Sequence, residues 1–171
     1  MRIKSGNLLL FAAFLITQVI LSSLIDIGPL LFISVYPLFL LTLPTNTTFN
    51  KMLLWAFFMG IAVDYFTNSI LGLNSSAALT LVLFQSKIFK LVCRKGDLEN
   101  QIRPGLRELG VVRFTTYIAL SLAVHHISLS LVESFGLTSF IYNLPRVAVS
   151  LFANTILILV IEFGFFYKNR L

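Results

Sequence analysis

Few ionisable side chains in this sequence lie inside long apolar runs, and these residues are the ones that could do chemistry. Asp64 and Glu162 are the carboxylates within such runs, and His125 and His126 are adjacent in another. An ionisable group in a membrane helix is costly, so each one is a candidate functional site and needs a partner. The surrounding sequence indicates which partners are within reach.

Asp64 is the most informative of these groups. It follows Gly60 by one helical turn, so the two share a face, and glycine there lets another helix approach closely. A small and polar stretch follows, reading Gly72-Leu73-Asn74-Ser75-Ser76-Ala77-Ala78. If this stretch begins a helix, its unpaired amides favour a nearby carboxylate. We therefore predict that Asp64 ties two helices into a hairpin, with proton or substrate binding and an intermolecular contact as alternatives.

The other ionisable groups also favour structural roles. Glu162 lies near the end of the last apolar run, within reach of Lys87 and Arg113, which predicts an ion pair. Adjacent histidines on a helix point about 100° apart, so His125 and His126 cannot both ligate one metal. We interpret them as structural or interfacial, and we predict no metal or cofactor site.

Composition and missing motifs limit the function further. Hydrophobic residues make up 57% of the chain and charged residues 12%, against about 25% charged in soluble domains. The basic residues behind the net charge of +6 fall between apolar runs, which favours contact with membrane lipids and not with nucleic acid. The sequence contains no G-x-S-x-G, H-E-x-x-H or P-loop pattern. We expect no catalytic residues and no enzyme activity.

The apolar runs predict an all-α integral membrane protein, a single domain over 1–171 with a bundle of about six transmembrane helices. A helix needs about 20 residues to cross the hydrocarbon core. Pro37 lies inside the second run, where it predicts a kink. The predicted helices are 8–25, 30–43, 52–66, 72–93, 111–132 and 147–167.

The distribution of basic residues predicts the orientation. With both the N- and C-termini cytoplasmic, twelve of the thirteen Lys and Arg lie on or near the inner side, and only Arg146 lies outside. This is the bias expected of an inner-membrane protein. The long polar connection 94–110 is then a cytoplasmic loop. Its basic residues either bind it to the membrane surface, or the loop contacts a partner.

The stretch Ala56 to Lys90 resembles the core signature of the rod shape-determining protein MreD family. The pattern is a glycine, an aspartate one turn later, a polar break, and Leu-Gly-Leu before a small-residue helix. It consists here of Gly60, Asp64, Leu71, Gly72 and Leu73, followed by Ala77 and Ala78.

This resemblance implies a subunit of the bacterial cell-elongation complex, which builds side-wall peptidoglycan. Members of the family have no known reaction of their own. They work beside MreC, a periplasmic protein with one membrane anchor, and near MreB and the wall transglycosylase and transpeptidase. The candidate structural or partner-contact residues are Gly60, Asp64, Gly72, Asn74, Ser75, Ser76, Ala77 and Glu162.

The alternative is a substrate-binding subunit of a vitamin transporter. The MreD family is similar in fold to the S-components of energy-coupling-factor transporters, which dock through an Ala-x-x-x-Ala pattern in their first helix. Here Ala12 and Ala13 are adjacent, and Ile16 occupies the position where the pattern would repeat. This departure counts against transport. A bound vitamin, or a polar pocket on the outer side, would reverse this ranking, whereas co-purification with MreC would secure it.

Overall fold

A computed structural model describes residues 5–24, 31–93, 102–135 and 137–167 of the chain. Within these ranges the regular structure is helical, without strands, so the predicted all-α class is confirmed for this part. The helices are α1 (Ser5–Leu24), α2 (Pro37–Leu41), α3 (Phe49–Phe66), α4 (Leu73–Val92), α5 (Leu106–Leu109), α6 (Val111–Ser134) and α7 (Leu137–Ile161), which continues as a π-helical segment, Glu162–Tyr167.

Four helices are long and apolar enough to cross a membrane, and they indicate a membrane protein. They contain the segments Gly6–Leu24, Leu73–Val92, Val111–Ser134 and Ser139–Gly164. The helix α3 is not among the four and carries Lys51 near one end and Asp64 near the other. The expected total of six spanning helices is therefore not confirmed.

The second predicted helix, 30–43, is wrong for most of its length. Residues 31–35 have no regular secondary structure, and the chain is helical only from Pro37 to Leu41. Proline lacks an N–H, and its ring clashes with the carbonyl four residues earlier, so a helix begins more easily at a proline than it continues through one. Pro37 is at the start of α2, and the predicted kink is therefore also wrong.

The last helix begins earlier than the sequence indicates. It starts at Leu137 instead of Val147, and Pro145 lies inside it. A proline followed by a charged residue is typical of a helix boundary, so Pro145 and Arg146 predict a helix start just after them. Arg146 forms an ion pair with Glu133 of α6 at 3.3 Å, which allows a charged residue to remain in an otherwise apolar helix.

The long helices pack in the order α3, α4, α6, α7, with the closest associations between successive members. The predicted hairpin of the third and fourth helices is present, and α1 packs mainly against α3. The short helix α2 lies inside the bundle with all of its residues buried. The largest fully buried side chains include Tyr36, Tyr117, Phe39 and Phe114.

The predicted loop 94–110 is partly folded against the bundle. Residues 94–101 lie outside the described part, but Arg103 donates from Nε to the carbonyl of Thr42 at 2.8 Å. Leu106 and Leu109 of α5 are buried. The second half of this connection therefore belongs to the folded domain, and its role in lipid or partner contact stays a prediction.

Candidate functional site

The Asp64 carboxylate closes the hairpin between α3 and α4. Its Oδ2 accepts from the backbone amide of Gly72 at 2.9 Å, and its Oδ1 accepts from the amide of Asn74 at 2.9 Å. The amide of Ser75 lies 3.5 Å from Oδ2. Asp64 is fully buried, and these amides are the ones that a helix start leaves unpaired. The predicted contact between Asp64 and the start of the fourth helix is therefore confirmed.

Two glycines make this arrangement possible. A Cβ on Gly60 would lie 2.9 Å from the carbonyl carbon of Asn74, and closer still to the backbone of Ser75. Gly72 has φ +93°, a left-handed conformation that side chains disfavour, and it immediately precedes α4. Gly60 thus sets the distance between the helices, whereas Gly72 sets the path of the chain between them.

The remaining small residues of the motif are used within the chain. Asn74, Ser75 and Ala77 are buried, and Ala77 packs with Leu73 and Leu129 of α6. Ser76 is half-buried, and its hydroxyl donates to a carbonyl of its own helix. The surface around Gly60 and Ala77 was a candidate partner contact, but internal packing of this bundle occupies it.

A buried polar network extends from Asp64 across the bundle. The Asn74 side chain donates to Asp64 Oδ1 at 2.8 Å, and the Tyr36 hydroxyl lies 3.3 Å from Asn74 Oδ1. The same hydroxyl lies 2.6 Å from Nε2 of His125. The rings of His125 and His126 meet edge to face, with centroids 5.2 Å apart. Groups from α3, α4 and α6 therefore contact one another in the core, together with the chain just before α2.

The network continues into the non-helical residues 31–35, which two amide side chains hold in place. Asn154 of α7 accepts from the amide of Ser34 at 2.8 Å through Oδ1, and it donates to the carbonyl of Phe32. Gln18 of α1 accepts from the amide of Val35 at 2.7 Å and donates to a carbonyl of the same segment. Buried backbone outside regular secondary structure requires such hydrogen-bond partners, and here the neighbouring helices supply them.

Sequence reasoning missed Gln18, Tyr36 and Asn154 as members of this network. The signal was present, because Gln18 and Asn154 are carboxamides within strongly apolar runs. A search restricted to ionisable groups overlooks uncharged amides, although these too need hydrogen-bond partners in an apolar bundle.

A cavity of about 410 Å³ opens beside the α3–α4 turn, and we call it the hairpin cavity. Side chains and backbone from α1, residues 31–34, the turn, α6 and α7 form its walls. Its polar lining residues include Gln18, Ser22, Ser34, Thr67, Asn68, Ser69, Asn74, Glu133 and Arg146.

Comparison with known proteins does not assign this chain to a family. Neither known family models, nor curated proteins, nor solved structures match this chain. The chemistry available to the chain therefore has to be judged from its own side chains.

Among the described residues, the charged groups that line the hairpin cavity are Arg146 and Glu133. Arg146 lies with its guanidinium carbon 3.4 Å from the centroid of the Phe32 ring, and its NH1 is 3.3 Å from Glu133 Oε2. Arg146 Nε is buried and has no hydrogen-bond partner among the described residues. The guanidinium is thus held by a ring and a carboxylate, while the Arg146 side chain as a whole remains 21% exposed.

Glu162 lies at the opposite end of the bundle. It is buried, and its Oε1 lies 3.4 Å from the backbone amide of Leu106. The proposed ion pair with Lys87 or Arg113 stays a prediction. Within the described ranges, no three His, Cys, Asp or Glu residues come together as a metal site.

Proposed function

We propose that this chain is a membrane subunit of the bacterial cell-elongation complex, similar to MreD, which binds MreC and has no reaction of its own. The observation that carries the proposal is that Gly60, Asp64 and Gly72, residues of the family resemblance, together form the junction between α3 and α4, with Gly60 and Asp64 buried. The spacing of the motif therefore has a physical meaning in this chain, because each residue type is required where it stands.

The proposed location is the inner membrane, with both termini in the cytoplasm. The inward bias of the basic residues supports this orientation. The non-helical segment with α2 forms the second crossing, and α3 forms the third. The connection between α3 and α4 is short, as is the one between α6 and α7. With so little chain at the outer end, a partner has to be recognised largely within the membrane.

The exposed face of α1 is the best surface for that partner. Only 11% of the spanning window of α1 is buried, against 28% or more for the other three spanning helices. Leu9, Ile16 and Ile20 are exposed on one face, and Ala13 lies between them. Helix association in lipid depends on close packing around small residues. Ala13 would let the membrane anchor of MreC approach α1 closely.

Co-purification tests the proposal. The tagged chain and MreC from the same source are expressed together, solubilised in detergent and recovered on the tag. We expect Ala13→Phe to reduce the amount of MreC recovered while the abundance of the chain stays normal. Ala148→Phe, which adds the same bulk to an exposed position of α7, is the control. Failure of the unchanged chain to retain MreC would refute the proposed function, and equal recovery with both variants would exclude this face of α1.

The hairpin cavity favours a second candidate, a substrate-binding subunit similar to the S-components of vitamin transporters. The cavity is polar and lies at the proposed outer end. The absence of the Ala-x-x-x-Ala docking pattern from α1 counts against it. The cavity does not reverse the ranking, because its outward position is itself a proposal and a cavity does not by itself require transport. Recovery of transporter subunits in place of MreC would favour this candidate.

A further inference from the structure

The hairpin cavity has the size and the construction of a ligand site. Its volume of about 410 Å³ falls in the range of roughly 300–1,000 Å³ that small-molecule pockets occupy. Part of its wall is the non-helical backbone of residues 31–34. In membrane proteins, irregular backbone is found where it is buried in protein or lines an aqueous cavity, and broken segments commonly line binding sites.

The wall of the cavity is held in shape without a ligand. Ser150 of α7 accepts from the amide of Phe32 at 2.9 Å, and Asn154 accepts from the amide of Ser34 at 2.8 Å. Gln18 fixes the same segment from α1, through the carbonyl of Ile33 at 2.8 Å. Because side chains of two helices already fix this backbone, the segment loses little conformational entropy when a ligand binds.

Arg146 gives the cavity its chemical preference. Its guanidinium is positioned by the Phe32 ring, and Nε is buried without a partner in the described part of the chain. Glu133 contacts only NH1, at 3.3 and 3.5 Å, which are long distances for a charge-assisted pair. The Arg146 side chain is 21% exposed, and a planar guanidinium matches the oxygens of a carboxylate or a phosphate.

We propose that the hairpin cavity binds a small molecule through an anionic phosphate group, which Arg146 recognises. Glu133 neutralises Arg146 while the cavity is empty, and the ligand anion replaces it. The phosphate could be free in solution or part of a lipid headgroup. The proposal depends on neither candidate function, since the described residues that line the cavity all belong to this chain.

The test uses the purified full-length chain in a neutral detergent, without MreC. The midpoint of thermal unfolding is measured against increasing inorganic phosphate in one arm and dihexanoyl-phosphatidylglycerol in the other, with chloride at matched ionic strength as reference. We expect a saturable rise of the midpoint in at least one arm. Saturation with inorganic phosphate indicates a free anion, and saturation with the lipid alone indicates a headgroup. No saturable rise in either arm overturns the proposal.

Two substitutions are expected to change the apparent affinity in opposite directions. They distinguish recognition of the anion by Arg146 from general stabilisation of the protein by the added salt or lipid. Arg146→Gln should weaken the apparent affinity about tenfold, because a hydrogen bond to a charged group is lost. Glu133→Gln should strengthen it about threefold, because the internal competitor loses its charge. Lys51→Gln, at the other end of α3, removes the same charge as Arg146→Gln and should leave the affinity unchanged.

If Arg146→Gln fails to fold, Glu133→Gln and a cavity-filling variant still decide the question. Ser69 lines the cavity from the α3–α4 turn, so Ser69→Trp should abolish the saturable rise while the chain remains folded. Unchanged affinity in both Glu133→Gln and Ser69→Trp would overturn the proposal.

Discussion

Asp64 accepts hydrogen bonds from both the backbone amide and the side-chain amide of Asn74, at 2.9 and 2.8 Å. One carboxylate oxygen thus orders the first turn of α4 and also aims the Asn74 side chain towards Tyr36. The helix start and the buried polar network therefore share a single anchor. A change at Asp64 should affect both the hairpin and the core beside it.

The first prediction concerns substitutions of Asp64. Asp64→Leu should destabilise the protein by about 3 kcal/mol or more, because several buried amides lose their acceptor. Asp64→Asn keeps one acceptor oxygen, but its NH2 group would face the amides of Gly72 or Asn74. It should therefore cost an intermediate amount, about 1–3 kcal/mol. Thermal unfolding in detergent and cellular abundance measure both effects. If Asn proves as damaging to function as Leu while abundance stays normal, ionisation itself is required and a proton-linked role becomes the better explanation.

The second prediction concerns the close approach of α3 and α4. Gly60→Ala should destabilise the protein by about 1–3 kcal/mol, because the added methyl group meets the backbone of Ser75. Gly6→Ala is the matched control in α1, since a Cβ there has nothing within 4 Å. Comparison of the unfolding midpoints checks the difference. Equal midpoints would mean that the helices move apart without cost.

Local features of the site could be predicted from the sequence where they depend on near neighbours. Asp64 and the start of α4 are separated by a short turn, so spacing and helix-end chemistry alone indicated their contact. The bounds of α4 and α6 also follow closely from the apolar runs, because nothing inside those runs interrupts a helix.

Features that depend on distant residues could not be predicted in this way. Residues 31–35 belong to the apolar run 30–43, which looks like a spanning helix in the sequence. They are non-helical because Gln18 and Asn154, from other helices, form hydrogen bonds with their backbone. Likewise Arg146 stays within α7 because Glu133 is close in space. The periodicity of apolar residues does not indicate contacts between residues that are distant in sequence. The early start of α7 and the hairpin cavity are therefore visible only in the three-dimensional structure.

The third prediction concerns topology. In a Cys93→Ser background, Ile70→Cys should react with an impermeant maleimide added to intact cells, because the α3–α4 turn is proposed to face outward. Asn46→Cys, on the opposite connection, should react only after the cells are opened. Both positions are exposed, so reactivity reports the side of the membrane. The reverse pattern would contradict cytoplasmic termini.

The fourth prediction concerns the side chains that hold the non-helical segment. Asn154→Leu should destabilise the protein by about 2–4 kcal/mol, because the buried amide of Ser34 and the carbonyl of Phe32 lose their partner. Thr155→Val is the control, since the Thr155 hydroxyl bonds only to Leu151 of its own helix, at 2.7 Å. That change should cost less than about 1 kcal/mol.

The effect of Asn154→Leu should also depend on Gln18, because both residues hold the same short segment from opposite sides. Once one of them is lost, the segment can move, and the second loss then costs less than it does alone. In a double-mutant cycle, Gln18→Leu with Asn154→Leu should therefore destabilise the protein by less than the sum of the single changes, with a coupling of about 0.5–3 kcal/mol. Strict additivity in the unfolding measurements would mean that each side chain stabilises its own helix, and that the segment is held by other contacts.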